Sequence, residues 1–217
     1  MARVTFDITM SLDGFVAGPN MTPDRGLGEG AEHLHDWAVA TAAWNKEHGR
    51  TAGEDNVDSQ VVEESTRNVG AHIMGRRMFG GEGPWDNPAW GDQPWQGWWG
   101  DEPPFRKPVF VLTHHPREPL VKGETTFTFV TDGIESALEQ AQAAAGDKDV
   151  AIAGGASAAQ QYLKTGLLDD FQVHVVPQIL GKGVRLFEDL GPEPPALETV
   201  RVLHSPAVTH LRYRVVR

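Results

Sequence analysis

The stretch from Val150 to Ala156, reading VAIAGGA, constrains the fold of this chain more than any other. An apolar run ends there at two adjacent glycines, and residues that favour a helix follow. A short continuous apolar run is typical of a parallel strand buried on both faces. Gly154 and Gly155 permit a tight turn whose backbone amides can face an anion such as phosphate. The sequence therefore predicts strand, turn and helix, although a Gly-Gly pair is also common in plain turns.

Composition excludes several classes of function. The chain has 217 residues and a formal net charge of -11, with a sequence pI near 5.2, which argues against nucleic acid or an anionic membrane as the main partner. It has no cysteine, which excludes disulfides, thiolate metal ligands and cysteine nucleophiles. No apolar run reaches the length of a membrane span, and the first residues lack the apolar core of a signal peptide. We therefore expect a single cytoplasmic domain with a substantial core.

Hydrophobic patterning predicts an α/β sheet. Alternation over residues 4–10 predicts a half-buried first strand, and alternation over 171–175 predicts a later strand. Further strands are predicted at 71–74, 109–112, 127–130 and 150–153. Helices are predicted at 33–48, 59–69, 133–145 and 157–165, with Asp58 capping the second and a capping box of Asp132 and Glu135 starting the third. Residues 199–203 and 209–216 predict an antiparallel hairpin at a sheet edge. Repeated strand and helix units predict a mostly parallel sheet flanked by helices.

Two segments lack strand patterns. Residues 19–56 carry glycine, proline and charge at both ends, and we interpret them as an insertion over one end of the sheet. Residues 80–105 form a Trp-rich loop, in which so many indoles must be buried against something. Two interpretations remain open: a wall or lid of a ligand pocket, and an ordered loop packed on its own domain or on a second subunit. The indoles concerned are Trp85, Trp90, Trp95, Trp98 and Trp99.

Five motifs occur in an order that resembles a known superfamily. They are SLDGFVAG, HIMGRRMF, PVFVLTHH, VAIAGGASAAQQYL and VVPQILGKGVRLF. Together they resemble the dihydrofolate reductase superfamily, and most closely the branch with the C-terminal reductase domain of the riboflavin-pathway deaminase-reductase and its stand-alone relatives. The resemblance covers nearly the whole chain except the insertion and the Trp-rich loop. It implies a dihydrofolate-reductase-like mixed, mostly parallel sheet. A standard Rossmann assignment fails because the glycines come late and lack the GxGxxG spacing.

The resemblance also implies NADPH as the cofactor, bound along the carboxyl ends of the strands. It implies that the nicotinamide is lined by Val16, Ala17 and Ile152. The residues implied for the pyrophosphate are Gly154, Gly155, Ala156 and Ser157. Those implied for the adenosine side are Gly75, Arg76, Arg77, Thr113 and His114. Guanidinium groups bind phosphate oxygens with two parallel hydrogen bonds, which suits the two arginines; the alternative for them is a solvated helix start.

The substrate side departs from the superfamily pattern. Dihydrofolate reductases place a carboxylate on the helix before the HIMGR strand, where this chain offers Ser59 with Asp58 beside it, so we expect dihydrofolate not to be the substrate. Asp13 is the candidate catalytic residue, with a plain Asp13-Gly14 turn as the alternative. Candidate substrate contacts are Asp36, Trp37, Trp98 and Trp99. Asp36 is equally interpreted as a surface charge, and we expect at least one of the three indoles to contact the pocket beside Val16 and Ile152.

Other chemistries have weaker support. The clustered histidines at 33, 35, 114 and 115 lack the spacing of a chelating pair, so no metal site is predicted. Ser157 lacks the GxSxG turn of a hydrolase nucleophile. The sequence thus predicts an NADPH-dependent reductase of a small heterocyclic (pterin- or pyrimidine-like) or carbonyl substrate; the alternative is a non-catalytic nucleotide-binding protein on the same fold. We also expect a homodimer, since the related reductases commonly pair and the region from residue 177 to the C-terminal hairpin offers an apolar edge.

Overall fold

The computed structural model describes residues 2–188 and 190–216. Its strands are β1 (Val4–Ser11), β2 (Phe15–Ala17), β3 (Val69–Gly75), β4 (Pro108–Leu112), β5 (Leu120–Lys122), β6 (Thr125–Val130), β7 (Asp149–Gly154), β8 (Asp170–Val176), β9 (Val184–Arg185), β10 (Ala196–His204) and β11 (Thr209–Val216). Its helices are α1 (Asp36–Val39), α2 (Ala42–Glu47), α3 (Val57–Arg67), α4 (Arg76–Phe79), α5 (Ile134–Ala145) and α6 (Ala156–Lys164).

Nine strands form one mixed sheet in the order β10-β11-β8-β1-β7-β3-β4-β6-β5. The six strands from β8 to β6 run parallel, whereas β5, β11 and β10 pair antiparallel with their neighbours. Strands β2 and β9 form a separate two-stranded antiparallel sheet. The predicted mostly parallel sheet with an antiparallel C-terminal hairpin is confirmed. The carboxyl ends of β1, β7, β3 and β4 consequently lie at one edge of the sheet, where ligands of open α/β sheets bind.

The two faces of the sheet carry different partners, as alternation along β1 predicts. Val4 and Phe6 belong to the main core, which also holds Ala137 of α5 and Tyr162 of α6. Thr9 points to the other face, where its hydroxyl accepts a hydrogen bond from the indole of Trp37. Helices α5 and α6 therefore cover one face, and the segment with α1 covers part of the other.

Three local predictions were wrong. The single helix predicted for residues 33–48 is two short helices, because Thr41 is extended and its hydroxyl caps α2 by accepting from the amide of Trp44. Helix α3 is capped by Asn56 rather than Asp58, since the Asn56 side chain accepts from the amide of Ser59. Helix α5 starts from Gly133 with no side-chain cap, so the box predicted for Asp132 does not form.

The hairpin leaves β10 as an exposed edge strand. Leu197 pairs with Val215, and Val202 pairs with Leu211. Between these two pairs, a β-bulge between Thr199 and Arg201 shifts the pairing register by one residue. Positions 211 and 215 share a face of β11, so the two β10 residues also share a face. Both are exposed, at 45% and 55%. An apolar edge of this kind is a template for pairing with another chain.

We therefore predict a homodimer that pairs through β10. Val202→Lys should convert it to a monomer, because a buried unpaired ammonium opposes association. Val121→Lys is the matched control, since Val121 is exposed on β5 at the opposite sheet edge. Light scattering should report a dimer for the wild-type protein and the control, and a monomer for Val202→Lys. A monomeric wild-type protein at micromolar concentration contradicts the prediction.

Candidate functional site

Two glycine-containing strand ends lie side by side at the carboxyl edge of the sheet. Strands β3 and β7 are paired, with Met74 opposite Gly154. A β-carbon added to Gly75 would lie 3.7 Å from the amide nitrogen of Gly155. The backbones therefore approach closely, as a dinucleotide site of this kind requires. A side chain at position 75 would stand between the two turns.

Strand β7 ends at Gly154 and leads directly into the N-terminus of α6. Gly154 has φ +125°, a conformation that residues with a β-carbon rarely adopt, and it is joined to Gly155 by a cis peptide bond. A β-carbon on Gly155 would meet nothing within 4 Å. No side chain caps α6. The first amides that have a partner within the helix are those of Ala158 and Ala159, and both donate to the Gly155 carbonyl. The first amides of a helix lack intrahelical partners, so those around Ala156 and exposed Ser157 face an open space suited to an anion.

The three residues predicted to line the nicotinamide are all buried. Val16 and Ala17 form the short strand β2, and both are buried. Ile152 is 1% exposed and packs in the main core together with Val16. Its side chain therefore supports the core and offers no surface to a ligand. Gly183 lies against the carbonyl of Ala17, so the 178–183 loop backs β2.

Asp13 holds that loop in place. Its carboxylate accepts hydrogen bonds from the Ser11 hydroxyl at 2.7 Å and from the amides of Leu180 and Gly181 at 3.1 and 2.7 Å. The bond from Ser11, with those from the two amides, lowers the pKa of Asp13 to about 2. The group is thus a carboxylate at neutral pH and has no proton to donate. The geometry indicates a positioning role between β1 and the loop, and a catalytic role for Asp13 stays a prediction.

The two adjacent arginines differ sharply. Arg77 is exposed and forms an ion pair with Glu82 at 3.6 Å. Arg76 turns inward, with its guanidinium carbon 3.8 Å from the centre of the Trp85 ring. Its Nε and Nη1 atoms are buried and have no hydrogen-bond partner among the described residues. Burial, and then the charge of Arg117, lowers the pKa of Arg76 to about 10.

Thr113 and His114 follow β4, next to β3. Thr113 is buried, and its hydroxyl accepts from the amide of His115 at 3.1 Å. His114 is exposed at the strand end. The carbonyl of His115 accepts from the indole of Trp85, which ties the Trp-rich loop to this turn. Trp85 therefore lies between the Arg76 guanidinium and the turn at His115, whereas Arg77 points away.

The three indoles predicted for the substrate side lie in different places. Trp37 and Trp99 lie in two separate hydrophobic clusters, and Trp98 lies where the insertion meets the Trp-rich loop. Trp37 packs with Leu34 and Val176 in the cluster beneath the insertion. Trp99 belongs to the aromatic cluster, where it stacks on Phe127 with ring centroids 6.0 Å apart. These two pack into the interior of the protein itself. Asp36 is at the surface, where it binds His33 at 2.9 Å.

Trp98 lies where the insertion and the Trp-rich loop meet. A β-carbon on Gly26, in the insertion, would lie 3.3 Å from the Trp98 ring. The indole nitrogen donates to the carbonyl of Met78 at 3.0 Å. The sulfur of Met78 would lie 3.7 Å from a β-carbon on Gly154. Trp98 is thus one residue removed from the glycine pair, which makes it the candidate among the three for a ligand contact.

A buried chain of carboxylates and imidazoles lies under Trp37. Asp58 binds His210 at 3.0 Å, His210 binds His174 at 2.7 Å, and His174 binds Asp7 at 2.5 Å. These contacts form three hydrogen bonds, which need three protons, whereas two neutral imidazoles supply two. The third proton comes from an imidazolium or from a protonated carboxyl group. Asp58 is therefore committed to His210, and Ser59 is likewise committed to the amide of Ala43.

Residues 2–211 match the family described as the RibD C-terminal domain. The chain belongs to the RibD C-terminal domain family. It is also similar to the uncharacterised protein YyaP of Bacillus subtilis (strain 168), with 23% identity over 193 residues that cover 87% of this chain and 81% of YyaP. The resemblance found in the five motifs is thereby confirmed.

Solved structures agree with this family. A putative riboflavin biosynthesis protein from Shewanella sp. PV-4 has 21% identity and a TM-score of 0.63, covering 99% of both chains. A deaminase/5-amino-6-(5-phosphoribosylamino)uracil reductase from Thermotoga maritima has 16% identity and a TM-score of 0.58, covering 99% of this chain and 57% of that one. Dihydrofolate reductase from Enterococcus faecalis, complexed with NADP(H), has 12% identity and a TM-score of 0.51, covering 98% and 96%. This RibD-type chain therefore has a reductase fold.

Several residues of this RibD-type site were missed by sequence reasoning. Trp85 was one of five indoles in a loop, and Arg117 was not considered, although a basic residue just after the PVFVLTHH motif was a signal. His174 was visible in the sequence as a polar residue alternating with the apolar Val173 and Val175 of β8. Among residues 2–188 and 190–216, no group of three or more His, Asp or Glu side chains is arranged to hold a metal ion. In the same residues, no helix combines the length and apolar character needed to span a membrane.

We predict that Asp13 stabilises the fold of this RibD-type chain in a defined pH range. Its folded pKa of about 2 lies below the ordinary value of 3.8, so its contribution is fully present above pH 4 and disappears as the pH falls toward 2. Asp13→Asn should be less stable than the wild-type protein at pH 7, with the difference shrinking below pH 4. Urea unfolding across this range measures it, with exposed Asp24→Asn as the control. A difference that is independent of pH contradicts the role of the carboxylate charge.

Proposed function

We propose that this protein is an NADPH-dependent reductase of a small heterocyclic (pterin- or pyrimidine-like) or carbonyl substrate. The observation that carries the proposal is the close approach of Gly75 to Gly155 beside the uncapped N-terminus of α6. Together with the unpartnered guanidinium of Arg76, it provides two adjacent anion sites at the carboxyl edge of a reductase fold. A cytoplasmic location fits such an enzyme in a chain without cysteine.

The residues present fit a phosphorylated dinucleotide. The open space at Gly155 and the free amides of α6 suit a pyrophosphate. Arg76 supplies a charged donor one strand away, since β3 lies next to β7 in the sheet. The edge near β2 is left for the nicotinamide ring, whose chemistry is the transfer of a hydride. The protein's own part is then to fix the two ends of the cofactor and to keep water from the reacting face.

The substrate side offers an aromatic surface for a flat ring. Trp98 offers an indole near the glycine pair, and aromatic faces stack on planar heterocycles. Asp58, the nearest counterpart of the acid that dihydrofolate reductases use, is buried and bound to His210. We therefore continue to expect that dihydrofolate is not the substrate. The Thermotoga maritima relative is named for a phosphoribosylaminouracil, which makes aminopyrimidines the first compounds to test.

One observation favours the second function, a non-catalytic nucleotide-binding protein. Asp13 and Asp58, two of the three carboxylates that the sequence places near the site, are both occupied by hydrogen bonds within the protein. A reductase that needs a protein acid would have to use another group, or take its proton from water. NADPH binding without any turnover would support this second function.

Gly155→Val tests the cofactor site directly. Valine should enter the space outside the turn without a clash, because the position has φ −84° and no atom within 4 Å of a β-carbon. It should nevertheless raise the Kd for NADPH by about a hundredfold or more, since it fills the pyrophosphate space. Calorimetry measures the Kd, and thermal unfolding checks the fold. Gln161→Val, on the exposed side of the same helix, is the control and should bind normally.

Turnover is tested by NADPH oxidation over a panel of aminopyrimidine, dihydropterin and simple carbonyl compounds. We expect oxidation with at least one compound of the panel and none with dihydrofolate. The same reaction by Gly155→Val should be lost, while Gln161→Val should retain it. Tight NADPH binding with no oxidation by any compound would favour the non-catalytic function, and rapid dihydrofolate reduction would overturn our substrate assignment.

A further inference from the structure

Two histidine rings face each other through the same ring nitrogen in the interior of the protein. The Nδ1 atoms of His174 on β8 and His210 on β11 are 2.7 Å apart, and the two residues are directly opposite in the paired strands. Both side chains are buried, with exposed fractions of 2% and 1%. A contact of this length is a hydrogen bond when one nitrogen carries a proton and the other does not. The contact therefore depends on the protonation state of the pair.

The other nitrogen of each ring is bound to a carboxylate. Nε2 of His174 bonds Asp7 on β1, and Nε2 of His210 bonds Asp58 on α3 at 3.0 Å. An ionised carboxylate accepts hydrogen bonds and donates none, so both Nε2 atoms carry protons. The chain from Asp7 to Asp58 is thus left with one variable proton, which lies in the contact between the two Nδ1 atoms.

This variable proton belongs to the imidazole pair. Imidazole is the stronger base, since ordinary pKa values are about 6.5 for histidine and about 3.9 for aspartic acid. Both oxygens of Asp7 accept hydrogen bonds, one from His174 and the other from the Gln172 amide at 3.2 Å, as those of a carboxylate do. One ring is therefore an imidazolium, and the other is neutral with an unprotonated Nδ1.

The contact is broken when the pair gains or loses a proton. A second proton places N–H against N–H at 2.7 Å, and removal of the first places two lone pairs against each other. In such a coupled pair the protons are properties of the pair and not of one ring. Burial, against the hydrogen bond to Asp58, lowers the pKa of His210, which opposes the second proton. The contact is consequently intact between two limits of pH.

Charged groups from four elements surround the pair. They are Asp7 of β1, Asp58 of α3, His35 of the insertion and Arg201 of β10. The two carboxylates favour a first positive charge in the pair, whereas a second charge has to face the first across the same short contact. Arg201 adds positive charge near Gln172, and Glu64 balances it at 2.6 Å.

The insertion, residues 19–56, rests on these two rings. The Trp37 ring is centred 4.6 Å from that of His174 and 5.0 Å from that of His210. His35 lies in the same segment, and burial, followed by the charge of His174, lowers its pKa to about 4. The insertion thus packs on the pair with an indole and a neutral imidazole. Separation of the rings removes the surface on which Trp37 lies.

We propose that His174 and His210 share one proton, and that this proton fastens the insertion to the sheet within a window of pH around neutrality. The pair joins β8 to β11, and its carboxylates extend the connection to β1 and α3. Outside the window the rings separate and the insertion is released. It meets the Trp-rich loop where Gly26 approaches Trp98, so its release alters that junction. The device goes beyond the proposed function and does not depend on it.

Nitrogen-15 spectra of the histidine rings count the protons directly. The full-length protein is labelled at histidine and measured at pH 7, and the two residues are assigned from His174→Asn and His210→Asn. We expect both Nε2 atoms to be protonated and the two Nδ1 atoms to hold one proton between them. An unprotonated Nε2 would place the proton on a carboxyl group. That result would overturn the proposal, and so would two Nδ1 atoms that are both protonated or both bare.

Urea unfolding between about pH 5 and pH 9 measures the window. The folded pair binds its first proton more tightly than the unfolded chain does, so this contribution is present below the ordinary histidine pKa of about 6.5 and is lost as the pH rises through the higher folded value. The folded pair resists the second proton, so stability also falls as the pH drops below that ordinary value. We expect a maximum of stability near neutral pH, and its absence would contradict the proposal.

Two variants separate the shared proton from ordinary packing. In His174→Asn the amide offers His210 both a donor and an acceptor, and Asp7, 37% exposed, can turn to water, so the maximum should disappear. Asp7→Asn keeps both rings and an acceptor oxygen but removes a charge, so the alkaline limb should move about one pH unit lower. His114→Asn, at an exposed position, is the matched control and should keep the maximum. A maximum that survives in His174→Asn, or an unmoved limb in Asp7→Asn, would overturn the proposal.

Hydrogen exchange identifies the segment that the proton holds. After correction for the intrinsic pH dependence, amides of α1 and α2 should exchange about tenfold faster at pH 5 than at pH 7, whereas those of β3 and β4 should not change. In His174→Asn this acceleration should be lost. Equal acceleration in all four elements would show that the whole fold opens, and unchanged exchange in α1 and α2 would show that the insertion is not released. Either result would contradict the proposal.

Discussion

The parallel pairing of β7 with β3 is the contact on which the rest of the site depends. It brings Gly154 opposite Met74 and leaves Gly75 against the Gly155 amide, so two turns without side chains open in the same direction. Helix α6 starts here without a side-chain cap. Helix α4 starts with Arg76 at the end of the neighbouring strand β3. A β-carbon on Gly75 would lie between the two turns, 3.7 Å from the amide nitrogen of Gly155. The anion site that we propose at this edge therefore depends on strand register as much as on residue type.

The opposite face of the sheet shows why a reductase fold does not by itself identify a substrate. The insertion places Trp37 over β1 and β8, where its indole binds Thr9 and its ring lies 4.6 Å from that of His174. Beneath it, Asp58 is fully engaged with His210. Asp58, the carboxylate beside the position where the resemblance places the acid of dihydrofolate reductases, thus has a partner inside the protein. Trp98, which donates to the carbonyl of Met78 beside Gly154, is therefore the indole that we propose for the substrate side.

Sequence reasoning was most successful where a local pattern decides the structure. The apolar run before Gly154, the alternation in β1 and the motif order were sufficient for the fold, because buried strands and glycine turns are specified by a few neighbouring residues. It failed where distant contacts decide. The break at Thr41 depends on a side-chain cap competing with continuation of the helix. The state of Asp13 depends on amides at positions 180 and 181, which no spacing along the chain relates to it.

The two adjacent arginines are another case in which distant contacts decide the structure, and here the difference bears on function. Arg76 and Arg77 are equivalent in sequence, yet one is directed under Trp85 and the other into solvent beside Glu82. The difference arises from the Trp-rich loop, since Trp85 is anchored to the His115 carbonyl and packs on Phe129 at 4.8 Å. That loop therefore does more than cover the aromatic cluster. By holding the Trp85 indole against both guanidiniums, it keeps Arg76 and Arg117 close enough for the charge of Arg117 to lower the pKa of Arg76.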